Sequence, residues 1–326
     1  MESLDLRVLG DALDWHRAGH AVTLVTVVET WGSAPRPPGA LLAVRDDGAV
    51  SGSVSGGCVE DDLIARVKAG ERHGMPSMIA YGVSKEEAAR FGLPCGGTLR
   101  MVQEPLQDAH WIEELLSRTA AHELVARTLT LATGEVALSA ASREERMEFD
   151  GLKLTTLFGP KWRLLLIGAG QLSQAVAQMA AMLDFEVLVC DPREEYAGML
   201  VMTGATHVPG MPDDVVREMH ADAHTAIVAL THDPKLDDMA LLEALRSDAF
   251  YVGALGSSRN QATRKTRLAE HFELTEAELS RLHGPVGLRI GAKTPAEIAV
   301  SIVAQIIECK NAIAPTAQPV AGCSVS

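Results

Sequence analysis

Residues 163–173 read Arg163-Leu164-Leu165-Leu166-Ile167-Gly168-Ala169-Gly170-Gln171-Leu172-Ser173. A short apolar run that ends in Gly-x-Gly and opens directly into helix-forming sequence is the strand–turn–helix start of a dinucleotide-type unit. The first glycine allows the tight turn. The second lets a phosphate approach the backbone N–H groups at the helix N-terminus. Ser173 stands where the usual fingerprint has a third glycine. Asp191 lies 21 residues beyond Gly170, at the end of the next apolar run, where a carboxylate accepts hydrogen bonds from a ribose diol. Arg193 leaves open whether that ribose is plain or phosphorylated. The same glycines also serve helix–strand packing in Rossmann folds that hold no nucleotide.

Outward from this stretch the pattern repeats. Strands are expected at 163–168, 186–191, 225–230 and 249–254, and helices at 171–183, 236–247, 259–270 and 295–309. Such alternation specifies βαβ units and a parallel sheet covered on both faces. The last helix has an explicit start: Thr294 as N-cap, Pro295 at its first position and Glu297 completing a capping box. Its Ile298, Ile302 and Ile306, with Val303 and Ile307, form one apolar stripe. Upstream, the β-branched run 22–28 reads as a buried strand, 40–45 and 49–54 as a hairpin turned at Asp46-Asp47-Gly48, 59–69 as a helix, and 98–102 as a strand. A helix at 108–119 and a hairpin turned at Thr133-Gly134 follow, and these strands are expected to extend the first sheet. The fold class is therefore α/β, an N-terminal α+β domain followed by a C-terminal Rossmann-like doubly wound parallel sheet. The expected domains are 1–158, with 111–158 as hairpin or linker, and 159–313. A disordered tail is expected over 314–326, where the sequence is small, aperiodic and Pro-containing.

Composition narrows the function. The 326 residues are 47% apolar and 22% charged, enough for a sizeable core. Lys and Arg number 29 against 43 Asp and Glu, a net charge of −14, with no basic stripe and only 4% aromatics. Nucleic acid needs clustered positive charge and stacking platforms, so it is an unsuitable partner. No run of about 18 apolar residues is present, which argues against a membrane span. The acidic start, Met1-Glu2-Ser3-Leu4-Asp5, lacks the order of a signal peptide. Five cysteines (58, 95, 190, 309 and 323), none in a Cys-x-x-Cys pair, fit a reduced cytoplasmic protein.

Four constellations bear on chemistry. Gly168, Gly170, Asp191 and Arg193 form the first. The second gathers Thr231-His232-Asp233, Gly256-Ser257 with Arg259, and Lys293 ahead of the capped helix; strand C-terminal ends in a doubly wound sheet face one crevice. Arg259 and Lys293 suit an anionic ligand, and the plain alternative is a set of ordinary βα loops. The third is Gly56-Gly57-Cys58 with Cys95-Gly96-Gly97, two thiols beside glycine pairs. A helix N-terminus lowers the pKa of Cys58 while Glu60, Asp61 and Asp62 oppose it, so the sign stays open. Two isolated cysteines do not make a zinc site. Cys190 and Cys309 read as structural. The fourth is the stiff loop 32–39, with Ser33 and with Arg36 placed to meet a phosphate or carboxylate, or simply solvated.

Taken together, the segments GSAPRPPGA (32–40), GSVSGGCVE (52–60), CGGT (95–98), IGAG (167–170), DPR (191–193), LTHDPKLDD (230–238), YVGALGS (251–257) and IGAKTPAEIAVSI (290–302) resemble the XdhC/CoxI family of accessory proteins for molybdenum-containing hydroxylases. The resemblance implies a chaperone more than a turnover enzyme. It would bind molybdenum cofactor (molybdopterin or its dinucleotide form), shield it while a sulfido ligand is installed, and deliver it to an apo-molybdoenzyme of the xanthine dehydrogenase type. A cysteine desulfurase is the implied sulfur source, and a homodimer the implied assembly. By carry-over, Cys58 and Cys95 are the thiols that would handle cofactor or sulfur, in contact with molybdenum or sulfur, Arg36, Gly56, Gly57, Gly96 and Gly97 would approach the pterin phosphate, and Ser33 is a further cofactor-binding residue. The runner-up is an NAD(P)-dependent oxidoreductase using Gly168, Gly170 and Asp191, with His232 as acid or base. A pure interaction module is the third reading.

Overall fold

The structure, a computed structural model, describes residues 3–30, 36–71, 74–82, 98–142, 145–193, 204–231 and 233–313. The chain divides into two compact units, the division falling between Pro160 and Lys161. The tail expected from 314 lies outside the described residues.

The first unit contains α1 (Ser3–Arg17), β1 (Val22–Thr30), β2 (Leu41–Arg45), β3 (Val50–Gly52), α2 (Cys58–Lys68), β4 (Ser77–Tyr81), β5 (Leu99–Pro105), α3 (His110–Ala120), β6 (Val125–Thr130), β7 (Val136–Ala140), β8 (Glu148–Phe149) and β9 (Lys153–Phe158). An antiparallel five-stranded sheet runs β3-β2-β1-β5-β4. The period of two along β2 sends Leu41 and Ala43 into the cluster shared with α1 and α3, and Leu42 and Val44 into the cluster shared with Val59 and Leu63 of α2. The β2–β3 turn is fixed by Gly48 at φ +91° and by Asp47, which accepts from the Arg45 fork and the Ala49 N–H. Helix α1, absent from the sequence expectations, presents Val8, Leu9, Ala12 and Leu13 to the sheet at helical spacing.

The strands after residue 120 correct one expectation. They do not extend the first sheet but form a separate four-stranded sheet, β7-β6-β9-β8. Alternation along β6 and β9 places Leu129 and Leu154 in one cluster with Val28 and Val102 of the first sheet. Stacking face to face buries that apolar side, which edge pairing would leave open. Beside it Arg127 of β6 directs one Nη to both oxygens of Glu104 on β5 at 2.7 Å, its guanidinium 4.1 Å over the Trp111 ring.

The second unit comprises β10 (Arg163–Ile167), α4 (Gln171–Met182), β11 (Glu186–Cys190), β12 (Thr206–Val208), α5 (Pro212–Glu218), β13 (Thr225–Ala229), α6 (Pro234–Arg246), β14 (Tyr251–Ala254), α7 (Ser258–Phe272), α8 (Glu276–Ser280), β15 (Leu282–His283) and α9 (Pro295–Ile313). Its six strands are all parallel, in the order β12-β11-β10-β13-β14-β15. That is the third, second, first, fourth, fifth and sixth strand of the unit, the Rossmann order, with its switch point between β10 and β13. Strand β10 is buried on both faces. Leu164 and Leu166 pack with Val176 of α4 and Ile302 and Ile306 of α9, while Leu165 and Ile167 pack with Val215 of α5 and Leu241 of α6. The capping box of α9 forms as expected, Glu297 accepting from the Thr294 N–H at 3.0 Å and Thr294 from the Glu297 N–H at 3.3 Å.

Candidate functional site

A cleft of about 670 Å³ opens at the switch point of the parallel sheet. Of the residues expected there, Gly168, Gly170, Arg193, Thr231 and Asp233 line it, joined by Gln171, Leu172, Ser173, Leu255 and Ile298. The two glycines are there for different reasons. Gly168 has φ +100°, and a Cβ on it would stand 2.9 Å from the Thr231 methyl, so it is fixed by conformation and packing. Gly170 is the N-cap of α4 with φ −72° and ψ −179°, and a Cβ there would meet nothing within 4 Å among the described residues. Neither strain nor packing demands a glycine at 170; open space over a helix N-terminus is what it provides. Gly170→Ala should therefore shift stability by no more than about 1 kcal/mol in urea unfolding, the scale of an N-cap exchange, while obstructing any ligand seated on that N-terminus.

Ser173, at the position of the third fingerprint glycine, is 1% exposed, and its Oγ has no hydrogen-bond partner among the described residues. A buried unpaired hydroxyl costs about 1–3 kcal/mol. It lies one turn into α4, in the cleft wall.

Asp191 does not present a free carboxylate. One oxygen accepts from the Arg193 N–H at 3.1 Å and the Arg193 Nε at 2.9 Å. The other accepts from the Ala169 N–H at 2.9 Å and an Arg193 Nη at 2.8 Å. A carboxylate offers about four lone-pair sites, and the side chain is 0% exposed. Burial raises its pKa, but the bonds from Arg193 and Ala169 outweigh this and hold it below the ordinary range. The expected ribose acceptor is thus a brace between the glycine turn and Arg193, whose own side chain stays 43% exposed.

Thr231 forms the cleft's other wall. Its N–H and Oγ1 both donate to Asp237 of α6, at 3.2 and 2.7 Å, and Asp237 is paired at 2.8 Å with Arg264 of α7. Arg264 also donates to the Leu255 carbonyl at 3.1 Å and to Gln261, which in turn donates to the Ala254 carbonyl. One buried network therefore ties the ends of β13 and β14 together. The remaining residues of the second constellation stay outside the cleft lining. Ser257 caps α7 through the Asn260 N–H, Gly256 is held by close packing on Gln261, and Arg259 and Lys293 are exposed at the surface. Asp233 caps α6, accepting from the Lys235 N–H at 2.9 Å. His232 lies outside the described residues.

In the first unit the loop ahead of Cys58 is organised by Glu60, which is more than a charge beside the thiol. Glu60, 8% exposed, accepts from the backbone N–H groups of Val54, Ser55, Gly56 and Gly57 at 2.8–3.0 Å. It also accepts from the hydroxyls of Ser53 and Ser55. Burial pushes its pKa up; the Ser55, Ser53 and Val54 bonds overcome this and hold the carboxyl at about 2. The loop is an anion nest filled by the chain's own carboxylate. The N–H groups of Gly56 and Gly57, expected to face a pterin phosphate, are engaged by Glu60. The signal was available: Glu60 is the third residue of a helix whose N-cap is Gly57, the reciprocal position of a capping box. Cys58 is the first residue of α2, its thiol outside what the structure describes. Arg36 is half-buried. Ser33, Cys95, Gly96 and Gly97 lie outside the described residues.

Of the other cysteines, Cys190 is fully buried in β11, and burial, reinforced by Asp191 and Asp213, pushes its thiol up to about 12. Cys309 on α9 is shifted up as well, chiefly by burial. Both suit packing rather than thiolate chemistry. Among the described residues no group of three or more His, Cys, Asp or Glu is placed to hold a metal ion, and no helix is long and apolar enough to cross a membrane.

Strand order and cleft define a Rossmann-like α/β protein carrying an N-terminal α+β unit. Residues 164–306 match the XdhC Rossmann domain, and residues 15–82 match the XdhC and CoxI family. The chain belongs to the XdhC/CoxI family. It is 27% identical over 301 residues to the molybdenum cofactor insertion chaperone PaoD of Escherichia coli, covering 92% of this chain and 86% of PaoD. It is 28% identical over 319 residues to a probable xanthine dehydrogenase subunit from Bacillus subtilis, covering 89% of this chain and 94% of that protein. A crystal structure described as a xanthine dehydrogenase from Bacillus halodurans shares the fold, with TM-score 0.78 at 24% identity over 98% of both chains.

Proposed function

We propose that this protein is a molybdenum-cofactor accessory protein that binds the cofactor as cargo, protects it, supports its sulfuration and inserts it into an apo-molybdoenzyme of the xanthine dehydrogenase type. The observation that carries the reading is membership of the XdhC/CoxI family, matched in both units. Membership supports the coarser role, an accessory function in molybdenum-cofactor chemistry. The likeness to a protein named as an insertion chaperone supports delivery as the particular task.

The fit of the cargo differs between backbone and thiol. The loop 53–57 offers no vacant N–H to a phosphate at positions 54–57, because Glu60 occupies them. What it does offer is a preformed, exposed Gly56-Gly57 approach to Cys58, and a thiolate is a soft ligand matched to molybdenum and sulfur. In this reading Cys58 and Cys95 handle cofactor or sulfur, Arg36 and Ser33 bind the cofactor, and the donor of sulfur is a cysteine desulfurase. The assembly is a homodimer and the compartment the cytoplasm. The oxidoreductase alternative is weakened, since Asp191 has its four hydrogen bonds within the chain.

Reconstitution of an apo-molybdoenzyme of the xanthine dehydrogenase type with purified cofactor tests the reading. The wild-type protein should accelerate activation. Cys58→Ala should lower that acceleration about tenfold or more, the scale on which losing a ligand or its support weakens a metal site. Unchanged activation by the double variant Cys58→Ala, Cys95→Ala would remove the thiols from the account.

A further inference from the structure

We propose that a cavity of the first unit, beside the buried Glu104–Arg127 pair, binds a small uncharged planar heterocycle that carries an oxo and an amino group on one edge. The side chains along β5 alternate between the two faces of its sheet. Leu99 and Met101 join the cluster of α2, the helix that Cys58 begins, whereas Val102 joins the cluster of the second sheet, and Glu104 shares that face. The cavity is therefore separate from the thiol loop, and its ligand stands or falls apart from the molybdenum reading.

The cavity holds about 320 Å³, the size of a small-ligand site. Residues 104–108 after the core of β5, 75–76 ahead of β4, and the turn 133–136 between β6 and β7 wall it. These walls are tied together. Gln107 donates to the Gly74 carbonyl at 2.7 Å, and a Cβ on Gly134, which has φ +73°, would stand 3.5 Å from the Pro76 ring.

The chemistry of the lining selects the ligand. Arg127 is 3% exposed and spends one Nη on Glu104, while its Nε is buried with no hydrogen-bond partner among the described residues. Trp111 covers a face of the guanidinium, so the missing partner is an acceptor in the guanidinium plane. An anion is unsuited to the task. Glu104 already matches the Arg127 charge, Asp108 and Glu135 add two carboxylates, and no further Lys, Arg or His is found among the described lining residues. The acceptor is therefore an uncharged oxygen. Nε and the Nη bonded to Glu104 share one carbon, which brings that oxygen beside the Glu104 carboxylate. Each Glu104 oxygen takes one bond from Arg127 and has lone pairs left, so the atom next to the acceptor should be an N–H donor. A ring C=O flanked by N–H and NH₂ answers both demands, with the exposed Asp108 and Glu135 as further acceptors at the rim. Met75, Leu106 and Val136 supply apolar contact for the ring. A pterin and a guanine base both carry such an edge.

Equilibrium dialysis of the full chain with pterin and 9-methylguanine tests this and separates the two sources. At least one should bind saturably with Kd of about 100 µM or below, and the tighter of the two names the source. Each is compared with its analogue without the amine, lumazine and 9-methylhypoxanthine. Loss of the amine should weaken binding about tenfold, the value of one hydrogen bond to a charged oxygen. Glu104→Gln should weaken it by a similar factor, read on protein that still unfolds cooperatively in urea. Val136→Phe, a change at a half-buried lining residue that leaves the ion pair intact, should abolish saturable binding by filling the cavity. No saturable binding of either heterocycle, equal binding of the amine-free analogues, or unaltered binding by Val136→Phe would each overturn the proposal.

Discussion

Replacing Asp237 by Ala is expected to cost about 3–5 kcal/mol in urea unfolding, the range for breaking a buried ion pair from one side. The side chains of Asp237 and Arg264 are 2% and 8% exposed. Without the carboxylate, Arg264 keeps its bonds to the Leu255 carbonyl and Gln261 and a longer approach to the Asp238 charge at 3.5 Å, which places the loss at the lower end of the range. The Thr231 N–H loses its acceptor, while Thr231 Oγ1 keeps the Asp233 carbonyl at 2.9 Å. The consequence is local as well as global. Thr231 is the residue packed against Gly168, so the glycine turn and the cleft wall loosen together. Asp237→Asn keeps an acceptor for Thr231 but no charge for Arg264 and should fall between wild type and Asp237→Ala. A double-mutant cycle with Arg264→Leu should show positive coupling, because removing both partners leaves no uncompensated charge. Additive losses would mean that the pair acts as two independent packing residues.

Glu60→Ala is expected to lower stability by up to about 3 kcal/mol at neutral pH. The figure is a ceiling from the displacement of its carboxyl from 4.5 to about 2, at 1.36 kcal/mol per unit. The sign follows from the folded state binding the proton less readily than the unfolded one. The stabilisation is complete above about pH 5, declines as pH falls, and is gone below the folded value near pH 2. Acid titration of wild type against Glu60→Gln should thus show two stability curves that converge between pH 5 and pH 2. Parallel curves would mean that the six hydrogen bonds contribute nothing through charge. Functionally, the variant frees the N–H groups of residues 54–57 and removes what fixes the approach to Cys58. Activation of a recipient enzyme should fall with it even where the fold persists, and Glu60→Asp, a methylene shorter, should restore only part.

The Rossmann half was legible because each feature is local: a glycine turn directly after an apolar strand, the repeat of strand and helix, and the Thr294-Pro295-Glu297 start of the last helix. What escaped depends on partners distant in sequence or on direction. Asp191 was correctly placed at the end of its strand, but its saturation depends on how Arg193 folds back and on the Ala169 N–H reaching it. Spacing is silent on both. The stacked second sheet escaped because alternation on β6 and β9 says that one face is buried, not against what. Helix α1 was legible in principle, with Leu6, Leu9 and Leu13 at helical intervals. Glu60 was read for its charge rather than its position three residues after Gly57, which is the signal that would have found the nest.

That the protein carries molybdenum cofactor is tested most directly by producing the full chain in a host that makes the cofactor, purifying it without reductant, and identifying released small molecules by mass spectrometry. Molybdopterin or its dinucleotide form, recovered with wild type and depleted in Cys58→Ala, is the predicted result. Recovery of NAD(P) in its place, with no pterin from either protein, would contradict the account.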